Sequence, residues 1–156
     1  MSAALGTKCR VTWVWSIEKQ RRRSVTKAYE GGCLCGASRY IAHGDPINVR
    51  VCHCRLCQRA IGAAFNARAL FSSKEIELTG PIGRNNSSAE LVRGFCTRCG
   101  TTLFSERGNI GVVGITIGSF DDPNVFRPAE HIWTSSKQAW VKLDDGLPQY
   151  EEGFPG

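Results

Sequence analysis

Cys52-His53-Cys54-Arg55-Leu56-Cys57 sets three thiols within six residues. Thiols one or two residues apart rarely bridge each other without strain. A soft divalent ion such as zinc instead gathers thiolates at tetrahedral angles. The same chemistry recurs on both sides. Cys33-Leu34-Cys35 lies upstream, between Gly32 and Gly36, and Cys96-Thr97-Arg98-Cys99 lies downstream, followed by Gly100. Residues i and i+2 of an extended segment point the same way, so Cys33 and Cys35 can face one metal if the backbone bends. Cys96 and Cys99 have the spacing of a zinc knuckle. A positive φ at Gly100 would turn backbone N–H groups toward the sulfurs, offsetting the surplus negative charge of a tetrathiolate centre.

Seven clustered thiols divide as four and three. Cys33, Cys35, Cys96 and Cys99 would close a structural zinc site that ties distant parts of the chain together. Cys52, Cys54 and Cys57 would leave one coordination position for solvent or substrate, and a soft site favours another thiolate there. His53 should point away from its neighbours and is read as solvated or seated behind the ligands. Two other arrangements stay open on spacing alone. His43, His131 or Cys9 could complete the triple as a purely structural site. Alternatively, Cys54 and Cys57 could join Cys96 and Cys99 in a ribbon, stranding Cys52.

The chain has 156 residues, enough for one domain with its own core, so the cysteines are not needed merely to fold it. No run of 18 apolar residues suggests a membrane span, and residues 1–28 show no signal-peptide pattern, so a cytoplasmic, reducing setting is expected. The net charge of +6 is concentrated in residues 1–27, where seven basic residues face Glu18 alone. The remaining 13 basic and 13 acidic residues balance, so the body has no general footprint for nucleic acid. Residues 1–28 are read as a basic extension that could contact nucleic acid or a partner, 29–150 as the domain, and 151–156 as a tail. Cys9 in the extension reads as a free thiol.

Short alternating or β-branched runs predict strands at Ala37–Ile41, Ile47–Val51, Phe65–Phe71, Ile76–Leu78, Thr101–Ser105, Ile110–Ile117 and His131–Thr134, while Leu91–Phe95 leads into the third cysteine cluster. Gly31-Gly32 reads as a turn, Asn85–Ser88 as a loop and Gly108-Asn109 as a hairpin turn. Arg59–Ala64 is ambiguous, and no segment has a long helical period. The fold expected is mainly β. Arg55, Gln58, Arg59 and Phe65 are candidates to line a pocket beside the triple, whereas Trp133 and Trp140 read as core.

Gly31-Gly32-Cys33-Leu34-Cys35-Gly36, Cys52-His53-Cys54-Arg55-Leu56-Cys57 and Phe95-Cys96-x₂-Cys99-Gly100 together resemble the glutathione-dependent formaldehyde-activating enzyme (Gfa) family, which includes centromere protein V. The resemblance continues through Gly118-Ser119-Phe120-Asp121-Asp122-Pro123 and His131-Ile132-Trp133 to Tyr150. It implies a zinc-containing β-tent of short antiparallel sheets. It also implies two zinc ions, one on Cys33, Cys35, Cys96 and Cys99 and a second, catalytic one on Cys52, Cys54 and Cys57. The implied activity is carbon–sulfur lyase chemistry, the reversible addition of glutathione or a similar small thiol to formaldehyde. A non-enzymatic zinc module acting through the basic extension is the alternative.

Overall fold

The computed structural model describes residues 27–153; residues 1–26 of the basic extension, Cys9 among them, lie outside the described residues. Among the described residues, ten strands form two sheets. β1 (Ala28–Gly32), β2 (Arg39–His43) and β5 (Ile76–Thr79) make a three-stranded antiparallel sheet in the order β1-β2-β5. The larger sheet contains β3 (Asn48–Cys52), β4 (Asn66–Ser72), β6 (Ile82–Asn86), β7 (Val92–Cys96), β8 (Thr102–Arg107), β9 (Val112–Thr116) and β10 (Glu130–Ile132). Its order is β10-β3-β4-β9-β8-β7-β6, antiparallel except where β10 runs parallel to β3. An α-helix, α1 (Arg55–Ile61), follows β3.

Alternation along the strands builds the core. In β4, Ala69 and Phe71 are fully buried in the main apolar cluster. They meet Val113 and Ile115 of β9, Phe104 of β8, and Tyr40 and Ala42 of the small sheet. Asn66 and Arg68 occupy the alternate positions of β4, with Asn66 opposite Cys52 and Arg68 opposite Arg50. One face of the large sheet is therefore the core, and the other is polar and carries the triple.

Most expected strands appear, with their ends shifted by a residue or two. Gly31 and Gly32 lie within β1 rather than in a turn, because β2 approaches too closely for a side chain. A Cβ at Gly31 would lie 2.2 Å from the Tyr40 hydroxyl oxygen and 2.4 Å from the Ser119 carbonyl oxygen. Asn85 and Asn86 belong to β6, where pairing with Arg93 and Val92 overrides their turn preference. The strand expected over His131–Thr134 stops at Ile132. Trp133 takes a left-handed φ of 59° and caps the 3₁₀ turn Thr134–Ser136. Trp133 and Trp140 are not core residues. They are 37% and 71% exposed, and the Trp140 indole N–H donates to Gln138 Oε1 at 2.7 Å.

Candidate metal centres

The cysteine sulfurs gather into two groups, each within 4.8 Å. Cys33 and Cys35 precede β2, while Cys96 ends β7 and Cys99 lies in the turn before β8. Cys33 Sγ and Cys35 Sγ are 3.5 Å apart, and Cys35 Sγ and Cys96 Sγ are 3.9 Å apart. Four sulfurs about 2.3 Å from a tetrahedral zinc lie roughly 3.8 Å from one another, so this donor set fits that ion. The backbone turns as the glycine suggests: Gly100 has φ +76° and its N–H donates to the Cys96 carbonyl at 2.8 Å. The Ser38 N–H donates to Cys33 Sγ at 3.2 Å. A hydrogen bond with the Thr101 hydroxyl, foremost among several contacts, lowers the Cys99 thiol to about 5.

Cys52, Cys54 and Cys57 form the second group, from the end of β3 and the start of α1. Cys54 is the N-cap of α1, its sulfur accepting the Cys57 N–H at 3.4 Å. The helix was illegible in sequence because it is short and begins on a thiol instead of Ser, Thr, Asp or Asn. Cys52 and Cys57 are buried and Cys54 is half-buried.

Among the described residues no histidine, carboxylate or further cysteine joins the triad. His43 Nε2 contacts Glu77 at 2.8 Å. Both ring nitrogens of His131 are engaged, Nδ1 with His53 Nε2 at 2.9 Å and Nε2 with Asp145 Oδ2 at 2.8 Å. Cys54 and Cys57 group with Cys52 rather than with Cys96 and Cys99.

The electrostatics of the triad favour an anionic sulfur at Cys57. Arg93 on β7 is buried, and its Nη2 donates to Cys57 Sγ at 3.7 Å. Hydrogen bonds from Cys52 and then Cys54 push the Cys57 thiol far down, against its burial, and the charge of Arg68 and the Arg93 contact add to them. The same sharing with Cys54 and Cys57, together with burial, pushes Cys52 far up. Arg93 was missed in the sequence because nothing near it marks the cross-sheet placement that brings β7 under α1.

His53 is fully buried and lies behind the triad, not in solvent. Asp145 can only accept as a carboxylate, so His131 Nε2 donates to it, while His131 Nδ1 lies 2.9 Å from His53 Nε2. Burial, followed by the nearby His131, lowers His53 to about 4, so it is neutral at pH 7. Gln58 is 4% exposed and ties this layer together, donating through Nε2 to the His53 and Ser136 carbonyls at 2.5 and 3.0 Å.

Two hollows flank α1. A groove of about 530 Å³ includes Leu56, Arg59, Arg84, Arg93, Phe95 and Thr102 in its lining. A smaller one of about 340 Å³ involves Arg55, Gln58, Arg59 and Gln138. Phe65, 41% exposed, packs its ring against His53 at 5.6 Å. No helix among the described residues is long and apolar enough to cross a membrane.

An uncharacterized lyase of Schizosaccharomyces pombe is 33% identical over 76 residues, covering 49% of this chain and 56% of that relative. The chain thus spans about half the length of the curated relative it matches. A crystal structure of a Rhodobacter sphaeroides protein is similar at 18% identity with a TM-score of 0.49, covering 78% of this chain and 98% of that one. The model of one family, described as glutathione-dependent formaldehyde-activating enzyme, matches residues 28–136 and so takes in both sulfur groups. With that match over more than half its length, the chain belongs to the glutathione-dependent formaldehyde-activating enzyme family.

Proposed function

We propose that the protein is a zinc-dependent carbon–sulfur lyase that joins a small thiol of the glutathione type reversibly to an aldehyde such as formaldehyde. The observation that carries this reading is the three-sulfur group Cys52, Cys54 and Cys57, which no fourth protein ligand joins among the described residues. Cys33, Cys35, Cys96 and Cys99 would hold a structural zinc. Cys52, Cys54 and Cys57 would hold the second, with one position for substrate. Zinc bound there would act as a Lewis acid and lower the pKa of an incoming thiol.

The chain's own residues do the remaining work. Arg93 keeps positive charge against Cys57, so the anionic donor set is tolerated in a buried place. Gln58 fixes the backbone at His53 to that at Ser136, and this holds the start of α1 in place. In the forward reaction the thiol sulfur bonds to the aldehyde carbon, and the proton lost by the thiol ends on the aldehyde oxygen. The reverse reaction breaks the same C–S bond.

The test is to mix zinc-loaded protein with glutathione and carbon-13 formaldehyde and follow the adduct by exchange NMR. The expected result is turnover above the spontaneous rate, lost in Cys54→Ser. A rate equal to the protein-free rate over a range of thiols would overturn the reading.

A further inference from the structure

The sulfur triad has an aromatic neighbour from a distant part of the chain. Cys52, Cys57 and Ile132 form a buried cluster, and Cys54 and Tyr150 pack against it. Cys52, Cys57 and Ile132 are 1%, 2% and 4% exposed, whereas Cys54 and Tyr150 are half-buried. Those two are therefore the members of the cluster that reach solvent. A zinc on three sulfurs takes its fourth ligand at the remaining tetrahedral corner. The route from solvent to that corner runs along the surface that Cys54 and the Tyr150 ring share.

Tyr150 is fixed there by its backbone, in a strap that lies along β10. The His131 N–H donates to the Pro148 carbonyl at 2.8 Å, and the Tyr150 N–H donates to the His131 carbonyl at 2.9 Å. The Tyr150 carbonyl accepts from the Thr134 N–H at 3.0 Å and from the Thr134 hydroxyl at 3.1 Å. Asp145, at the start of the strap, accepts from His131 Nε2 at 2.8 Å and from the Leu147 N–H at 3.1 Å. A side chain held this way shapes the space beside it and needs no ordering when a ligand binds. The matched family stretch ends at residue 136, before this strap begins.

We infer that Tyr150 is a specificity-determining residue of the triad. Its ring is a wall against the ligand held there, and it limits the bulk of the group next to the ligand's donor atom. The thiols admitted therefore carry a CH₂ beside the sulfur, and a thiol with a quaternary carbon there meets the ring. This rests on the proposed thiol chemistry of the triad.

Ethanethiol and 2-methyl-2-propanethiol differ by two methyl groups on the carbon beside the sulfur, and neither carries a charged group elsewhere. Each is titrated into cobalt-substituted full-length protein, reading the visible spectrum. Ethanethiol should bind tighter by about tenfold or more, the discrimination that an extra methylene meets in a fitted site. Tyr150→Phe should keep this preference. Tyr150→Ala keeps both backbone contacts of the strap and should cut the preference severalfold, through tighter binding of the branched thiol. Comparing variants cancels any intrinsic difference between the two thiols. Gln149 is exposed, and its Nε2 donates to the Leu143 carbonyl at 3.2 Å, so Gln149→Ala loosens the strap without touching the ring. It should leave the preference unchanged. A preference as large in Tyr150→Ala as in the unaltered protein would overturn the inference.

A second measurement needs neither a thiol nor a variant. Imidazole binds zinc through a neutral nitrogen. In the zinc-loaded protein its ring protons should show nuclear Overhauser contacts to the Tyr150 ring protons. Such contacts alongside a cobalt spectrum blind to every thiol would sink the lyase reading and leave the Tyr150 wall standing. Imidazole bound at the metal without them would overturn the wall, as would a centre that accepts neither imidazole nor thiol.

Discussion

Replacing Gly31 with alanine adds one carbon where the structure has no room for it. The new Cβ would lie 2.2 Å from the Tyr40 hydroxyl oxygen and 2.4 Å from the Ser119 carbonyl oxygen, so neighbours must move by about 1 Å. Tyr40 has little freedom to give. It is 1% exposed, its hydroxyl is 2.9 Å from Ser119 Oγ, and its ring meets Phe120 edge-on at 5.3 Å. Overpacking costs about 1–3 kcal/mol and the strained hydrogen bond about 1 more, so Gly31→Ala should destabilise by about 2–4 kcal/mol. Two other glycines calibrate the effect. Gly146 has φ +76° and open space, so Gly146→Ala should lose about 1 kcal/mol to backbone strain alone. Gly118 has open space and no positive φ, so Gly118→Ala should be neutral or mildly stabilising. Urea unfolding of the reduced, metal-loaded protein reads all three. Gly31→Ala should lower the midpoint by about 1–2 M at an ordinary slope. A Gly31→Ala midpoint indistinguishable from that of Gly118→Ala would refute the close approach of β1 to β2 and the Ile117–Phe120 segment.

Burial raises the Tyr40 hydroxyl above its usual pKa. The unfolded chain ionises first, so stability holds below pH ~10 and falls above it by about 1.4 kcal/mol per unit. Alkaline unfolding should show that slope flattened in Tyr40→Phe. Cys96→Ser should cost several kcal/mol and make unfolding insensitive to chelators, whereas Cys54→Ser should keep chelator-sensitive stability; calorimetry with and without chelator distinguishes them. Phe71→Ala should cost about 3–5 kcal/mol in the same urea assay, because its ring is fully buried, while Trp140→Ala should stay within about 0.5 kcal/mol.

The parts of the fold that were legible in the sequence are those governed by neighbours along the chain. β4 and β9 show their core faces through alternation or β-branching, and the cysteine spacings mark both sulfur groups. What stayed hidden depends on residues far apart. Gly31 reads as a turn until Tyr40 is seen against it. Trp133 and Trp140 read as core by size alone, yet a left-handed turn and a loop keep them outside. Arg93 beneath Cys57, and the His53–His131–Asp145 chain, join positions between 14 and 78 residues apart. No local pattern encodes such meetings.

The two sulfur groups also differ in how they behave when the chain is not folded. Cys54 and Cys57 are three residues apart, and the whole triad spans one loop and a helical turn. Cys35 and Cys96, by contrast, are 61 residues apart. Closing a loop that long costs conformational entropy that a short chelate never meets. A thiophilic ion can therefore grip the triad in the denatured ensemble, and whatever it gains there cancels from the folding equilibrium. The four-sulfur group exists only in the native topology, so its ion lends its full affinity to the native state. During synthesis the triad can load as soon as residue 57 is free, but the other site must wait for residue 99. Removal of metal should therefore weaken the native state through the four-sulfur group far more than through the triad.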